Sequence, residues 1–153
     1  RANQNSVNLY CESLLRSIGI ARRQNGDLKA SLEALEEEWK QRGLRMDGVY
    51  LRDGSGLSAR NTVTSRFMTG LLRKAALDDR IFNALWDSLP EMGRSGGQLR
   101  AKSGTIARVR GYAGYARPRS GRLLAFAFIA NNFTGSGSAM RRQLQQLMQS
   151  LIN

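Results

Sequence analysis

Apolar residues recur at helical spacing along the first ninety positions and at strand spacing from Leu99 onward. Val7, Cys11, Leu14 and Ile18, flanked by Tyr10 and Leu15, predict an amphipathic helix over residues 8 to about 18 that stops near Gly19. Asn8 or Ser6 is its expected N-cap, because a short polar side chain there accepts from an orphan backbone N–H. Asp27 opens a second helix with Leu28, Leu32, Leu35 and Trp39 on one face, Glu36, Glu37 and Glu38 mostly in water, and Gly43 as its stop. The dipeptides Asp53-Gly54 and Ser55-Gly56 mark a structured loop. Thr64 is placed to cap a third helix whose buried side is Phe67, Leu71, Leu72 and Ala75. Asp78 or Asp79 precedes a fourth with Phe82, Leu85, Trp86 and Leu89 in step, and Pro90 lies just past its end.

After Gly93 the period changes. Leu99, Ala101, Ser103, Thr105, Ala107 and Val109 alternate with Arg100, Lys102, Gly104, Ile106, Arg108 and Arg110, which is strand patterning. The turn-rich stretch 116–122 leads into LLAFAFIANN, a near-continuous apolar run suited to a strand covered on both faces, so a hairpin is the expected connection. Gly135 and Gly137 break the chain before Met140, Leu144, Leu147, Met148 and Leu151 stripe a terminal helix. The expected class is α+β: a mainly helical segment over 1–92, then antiparallel strands and a closing helix over 93–153, forming one domain or a large piece of one.

Composition narrows the chemistry. With 41% apolar residues in 153, the chain can bury a core. The single cysteine, Cys11, has no internal disulfide partner and reads as a small core residue. The absence of histidine excludes the usual zinc sites and a histidine-based catalytic triad, and no metal or organic cofactor is implied. The longest uncharged apolar run, Leu123 to Ala130, has strand length and not the ~20 residues of a bilayer span. Because the chain starts at Arg1 with no charged-then-apolar leader, an export signal or other upstream segment is expected to lie outside it.

Charge is uneven. Residues 1–91 hold 14 basic and 12 acidic side chains, residues 92–153 hold 10 basic and none acidic, and the whole carries +12. Such a field attracts an anionic partner: nucleic acid, anionic lipid or an acidic polymer. The stretch RVRGYAGYARPRSGR, with arginine, glycine and tyrosine interleaved, raises the alternative of a nucleic-acid-binding module.

Three short patterns carry the chemistry: Ser6-Val7-Asn8 at a helix entrance, DGSGLS at 53–58 in a loop, and Lys102-Ser103-Gly104 on a strand beside Thr105. With the flanking stretches SVNLYCESLLRSIG, DGSGLSARNTVTSR, DSLP, LRAKSGTI and GYAGYA, they make the chain resemble the class C penicillin-binding proteins, the D-Ala-D-Ala carboxypeptidase/endopeptidases typified by penicillin-binding protein 4. The likeness covers most of the chain in order. It implies part of a penicillin-binding/β-lactamase-like domain that acts on peptidoglycan stem peptides through an acyl-serine, with β-lactams as covalent inhibitors, in the periplasm or otherwise outside the cytoplasm. It also implies roles: Ser6 relays a proton to the leaving nitrogen, Asn8 binds the substrate's amide backbone, and Lys102 holds positive charge beside Ser6. Ser103 binds the terminal carboxylate, Gly104 permits close approach, and the Thr105 N–H forms half of an oxyanion hole. On this reading nucleic acid is not expected as a partner.

Two departures qualify the likeness. Lys29, Lys40, Lys74 and Lys102 follow Gly26, Glu37, Leu71 and Leu99 by three positions, so there is no Ser-x-x-Lys. The nucleophile is therefore expected on a missing N-terminal segment or another chain; otherwise the protein is a non-catalytic, peptidoglycan-binding derivative of the fold. The interval from Pro90 to Lys102 is also short, holding only EMGRSGGQLRA where the family has a longer Gly-Thr-Leu-containing segment.

Overall fold

The computed structural model describes residues 1–93 and 95–152. Its element order is α1 (Ala2–Asn5), α2 (Asn8–Arg23), α3 (Leu28–Gln41), α4 (Ser65–Ala75), α5 (Asp79–Ser88), β1 (Leu99–Ile106), β2 (Val109–Ala116), β3 (Leu124–Asn131) and α6 (Gly137–Gln149). The chain divides into two compact units, Arg1–Phe67 and Met68–Asn153, with the boundary inside α4.

In the first unit, α2 and α3 pack through small residues. Gly19 does not stop α2; it is buried within it, and a Cβ there would run into Ser31 Oγ and lie 2.6 Å from the Asn25 carbonyl. Ser31 and Ala34 supply the matching small surface on α3. Asp27 caps α3 as its sequence predicts, accepting from the Ala30 N–H at 2.7 Å. Gly43, at φ +73, ends it: the Gly43 N–H donates to Lys40 and the Leu44 N–H to Trp39, a paired arrangement that satisfies the last carbonyls. Arg22 and Arg42 both pair with Glu38, and Arg23 with Glu37, along the solvated side.

The expected capping at the start of α2 does not occur. Its N-cap is Val7, without a side-chain bond, and Ser6 instead ends α1 in the left-handed region at φ +54, ψ +45. Two helices meet there, and the reversal between them requires one residue of positive φ.

The second unit is a sheet between helical layers. Strand order is β1-β2-β3, all antiparallel, so residues 98–116 form two strands where one was expected. The turn between them is Ala107-Arg108, with Arg108 at φ +58. It escapes sequence reading because neither residue is a usual turn former. One face buries Leu99, Ala101, Tyr112, Ala116 and Phe126 against Leu144 and Met148 of α6. Leu147, expected in the same stripe, is 47% exposed. The other face packs Tyr115 with Leu72 of α4 and Phe82 of α5. Tyr115 is fully buried; its hydroxyl donates to the Leu72 carbonyl at 2.8 Å, and burial pushes its pKa up to about 12.

The short interval after Pro90 is a closed turn. Glu91 pairs with Arg100 as an isolated bridge, its carboxylate accepts from the Gly97 N–H at 2.7 Å, and buried Ser95 accepts from the Leu99 N–H at 3.2 Å. Arg94, inside this interval, lies outside the described residues.

Candidate active site

The residues singled out from the sequence are split between the units: Ser6 and Asn8 belong to the first, Lys102 to Thr105 to the second.

Around Ser6 the backbone carries the argument. A non-glycine residue in the left-handed region costs on the order of 1 kcal/mol, and such positions concentrate where function over-determines them. The Ser6 N–H and the Val7 N–H both turn back to the Ala2 carbonyl, which holds the reversal in place. The exposed Ser6 thus stands at a junction where glycine would be less strained, with half-buried Asn8 opening α2 two residues on. Neither is the N-cap of α2.

Against α2, from Cys11 to Leu15, lies the DGSGLS loop. Glu12 of α2 accepts from the Gly54 N–H at 3.1 Å and the Ser55 N–H at 2.9 Å, tying the loop to the helix. Gly54 suits that approach, since a Cβ would stand a tight 3.0 Å from the Cys11 carbonyl and from Leu15. Asp53 accepts from the N–H groups of Gly56 and Ser58 and from Asn61 Nδ2, at 2.6–2.8 Å. Burial alone would raise the Asp53 carboxyl, but the Asn61 amide and the loop N–H groups outweigh it and hold its pKa below the ordinary value. The loop is therefore built around two carboxylates, its own Asp53 and Glu12 of α2. Glu12 was missed from sequence because a lone Glu on an amphipathic helix looks solvated, and the N–H groups it accepts from lie more than forty residues along the chain.

On β1 the period-two alternation decides what the strand offers. Met92 donates to the Leu99 carbonyl at 2.9 Å and the Ala101 N–H donates to Pro90 at 3.0 Å, so the backbone groups of Leu99 and Ala101 turn away from β2. By alternation those of Ser103 and Thr105 do too. The chain at 90–92 covers only the first half of this outer edge. From Lys102 onward, β1 has no second strand partner among the described residues. Lys102 Nζ donates to the outward Ser103 carbonyl at 2.6 Å, which places a cation at that edge.

Beside Lys102 the sheet face is floored by small residues. Lys102 registers with Ala113 and Ala127, and Gly104 with Gly111. A Cβ on Gly104 would meet no atom within 4 Å, so its own neighbours do not demand glycine, whereas a Cβ on Gly114 would collide with the Arg100 carbonyl. Arg100, on the same face as Lys102, donates to the carbonyls of Leu89 at 3.2 Å and Trp86 at 3.5 Å. It anchors the root of β1 to the end of α5, a link the sequence pattern showed only as a basic residue in an alternating run. The strand thus combines a fixed root, a free edge with outward donors, a cation and open space over a glycine. Such an edge can hold an extended peptide as an added strand and present N–H groups to a developing oxyanion.

Comparison with known proteins bears on the family and the fold. The family model described as the D-Ala-D-Ala carboxypeptidase 3 (S13) family matches residues 1–151. Carboxypeptidase DacB of Mycolicibacterium smegmatis is 29% identical over 162 residues, covering 95% of this chain and 35% of the relative. A D-alanyl-D-alanine carboxypeptidase of Actinomadura sp. is 33% identical over 148 residues, covering 85% of this chain and 27% of the relative. Penicillin binding protein 4 from Haemophilus influenzae superposes with a TM-score of 0.82 at 25% identity, over 98% of this chain and 37% of that one. The same protein in complex with a β-lactam gives 0.77 at 25% identity, over 95% and 38%. The chain therefore spans about a third of the length of these relatives.

Proposed function

The chain belongs to the D-Ala-D-Ala carboxypeptidase 3 (S13) family, with a fold like that of penicillin-binding protein 4, and on that premise we propose that it supplies one wall of a serine acyl-transfer site. The whole protein hydrolyses D-Ala-D-Ala termini or cross-links of peptidoglycan stem peptides, outside the cytoplasm, and is acylated by β-lactams. A serine alkoxide attacks the D-Ala carbonyl, the C–N bond breaks as its nitrogen takes a proton, and water later cleaves the acyl ester. The nucleophile comes from a Ser-x-x-Lys outside these 153 residues.

This chain's own groups do the rest. The outward Thr105 N–H donates to the oxyanion, the Ser103 hydroxyl binds the substrate's carboxylate end at the strand edge, and the Lys102 ammonium supplies the positive charge that accompanies the Ser6 proton relay. Ser6 passes the proton to the leaving nitrogen while Asn8 binds the peptide amide. The observation that carries the reading is the outer edge of β1, which from Lys102 onward has no second strand partner among the described residues and combines a cation, a small-residue floor and outward backbone donors in one run of four residues.

Labelling of the intact protein by a fluorescent penicillin tests it. Lys102→Ala and Ser6→Ala should each slow acylation by about 10²-fold or more. Thr105→Ala should label normally because only its N–H is used. Thr105→Pro removes that N–H from a free edge, where proline is tolerated, and should abolish labelling. The 153-residue chain alone should not label. Normal labelling of Lys102→Ala and Thr105→Pro would refute the assignment.

A further inference from the structure

The charge asymmetry read from the sequence acquires a shape in the second unit. The described ion pairs join residues between Arg22 and Arg80, while residues 92–153 contain no carboxylate side chain to balance their arginines. Arg117, Arg119 and Arg122 occupy the β2–β3 connection at one end of the sheet and are exposed, with Arg117 stacked 4.3 Å over the Trp86 ring. Arg108 stands in the turn at the other end, roughly 25 Å away along eight-residue strands. Arg141 and Arg142 are exposed on α6, which covers one face, whereas Trp86 packs on the opposite face.

Positive charge spread over two ends and two faces cannot be met by one small anion, and a flat bilayer would reach only one side. All six of these cations are arginine, whose planar fork suits phosphate oxygens. The aromatic residues that made the sequence resemble a base-stacking surface are not available for it: Tyr112 is 4% exposed and Tyr115 fully buried. We propose that the second unit is a docking surface for a flexible, base-free phosphodiester polymer, which holds the protein in an anionic matrix. This surface does not depend on the acyl-transfer reading, since none of its arginines is assigned to that site.

An abasic oligodeoxynucleotide is the probe, with an ordinary oligonucleotide of equal length and phosphatidylglycerol vesicles beside it. The full chain should bind the abasic strand at 50 mM salt and lose about ten-fold or more in affinity by 200 mM. Arg119→Gln/Arg122→Gln and Arg141→Gln/Arg142→Gln should each weaken binding about three- to ten-fold, and more when combined. The control Arg22→Gln/Arg23→Gln, in the first unit, should change it less than two-fold. Equal loss in the control, dependence on one pair alone, or no binding at 50 mM would overturn the proposal. Ten-fold tighter binding of the ordinary oligonucleotide would restore the nucleic-acid reading in its place, and tighter binding of vesicles would replace it with a membrane surface. Penicillin labelling of the intact protein carrying the same substitutions separates the two readings: it should stay normal whichever way binding turns out.

Discussion

In Arg1–Phe67 the buried apolar side chains are Leu15, Ala34, Leu44 and Phe67, and much of the order comes from carboxylates: Asp53 and Glu12 gathering loop N–H groups, Glu37 and Glu38 pairing arginines. In Met68–Asn153 two apolar clusters lie on either side of a sheet, and the charges of its last 62 residues are of one sign. The first unit is close-packed through small residues and polar ties; the second is filled by large side chains. A unit of the first kind is sensitive to added volume and to loss of negative charge. A unit of the second kind is sensitive to lost volume and tolerates an unbalanced surface, because large apolar side chains fill its core.

That contrast can be broken most sharply in the core of the second unit. Met148→Ala should destabilise it by about 2–5 kcal/mol in urea unfolding, against less than about 0.5 kcal/mol for the exposed Leu147→Ala, one position away. If the two cost the same, α6 does not seat as described. Adding a single methyl at Gly19 should cost about 1–3 kcal/mol, seen as a lower melting temperature of the first unit, since Ser31 Oγ and the Asn25 carbonyl already fill the space. A neutral Gly19→Ala would mean that α2 and α3 are not in close contact.

Acid and alkali should also separate the units. The Asp53 carboxyl is held below its free value of 3.8, so its stabilisation is complete above that pH and lost as the pH falls through the lowered value. The Tyr115 hydroxyl is raised from 10.0 to about 12, so its stabilisation is complete below 10 and lost as the pH rises through 12. Tyr115→Phe should flatten the alkaline limb of the unfolding profile and leave the acid limb alone; Asp53→Asn should do the reverse.

Much of the helical frame was readable because its signals are local. Asp27, Thr64 and Asp78 cap where a short polar residue precedes an apolar period, and Gly43 stops where only a positive φ will serve. Misreadings came where one residue type serves two purposes. Ser6 has cap chemistry but stands at a reversal, Gly19 has stop chemistry but makes a helix contact, and Leu147 keeps the period but faces water. The turn at 107–108 was invisible because its alternation continues unbroken into the next strand. At the candidate site, β1 was legible as a strand from its period-two pattern. Which backbone groups face outward depends on the bridge between Glu91 and Arg100, a pairing that no local pattern specifies.

The tip of the first hairpin sets two demands against each other. Its backbone would relax with glycine at position 108, yet the chain keeps a long cationic side chain there, at φ +58. A stabilising substitution at that point would blunt the positive field, and improving the field would give nothing back to the fold. Engineering this hairpin for rigidity and engineering it for adhesion are thus opposed tasks at a single residue.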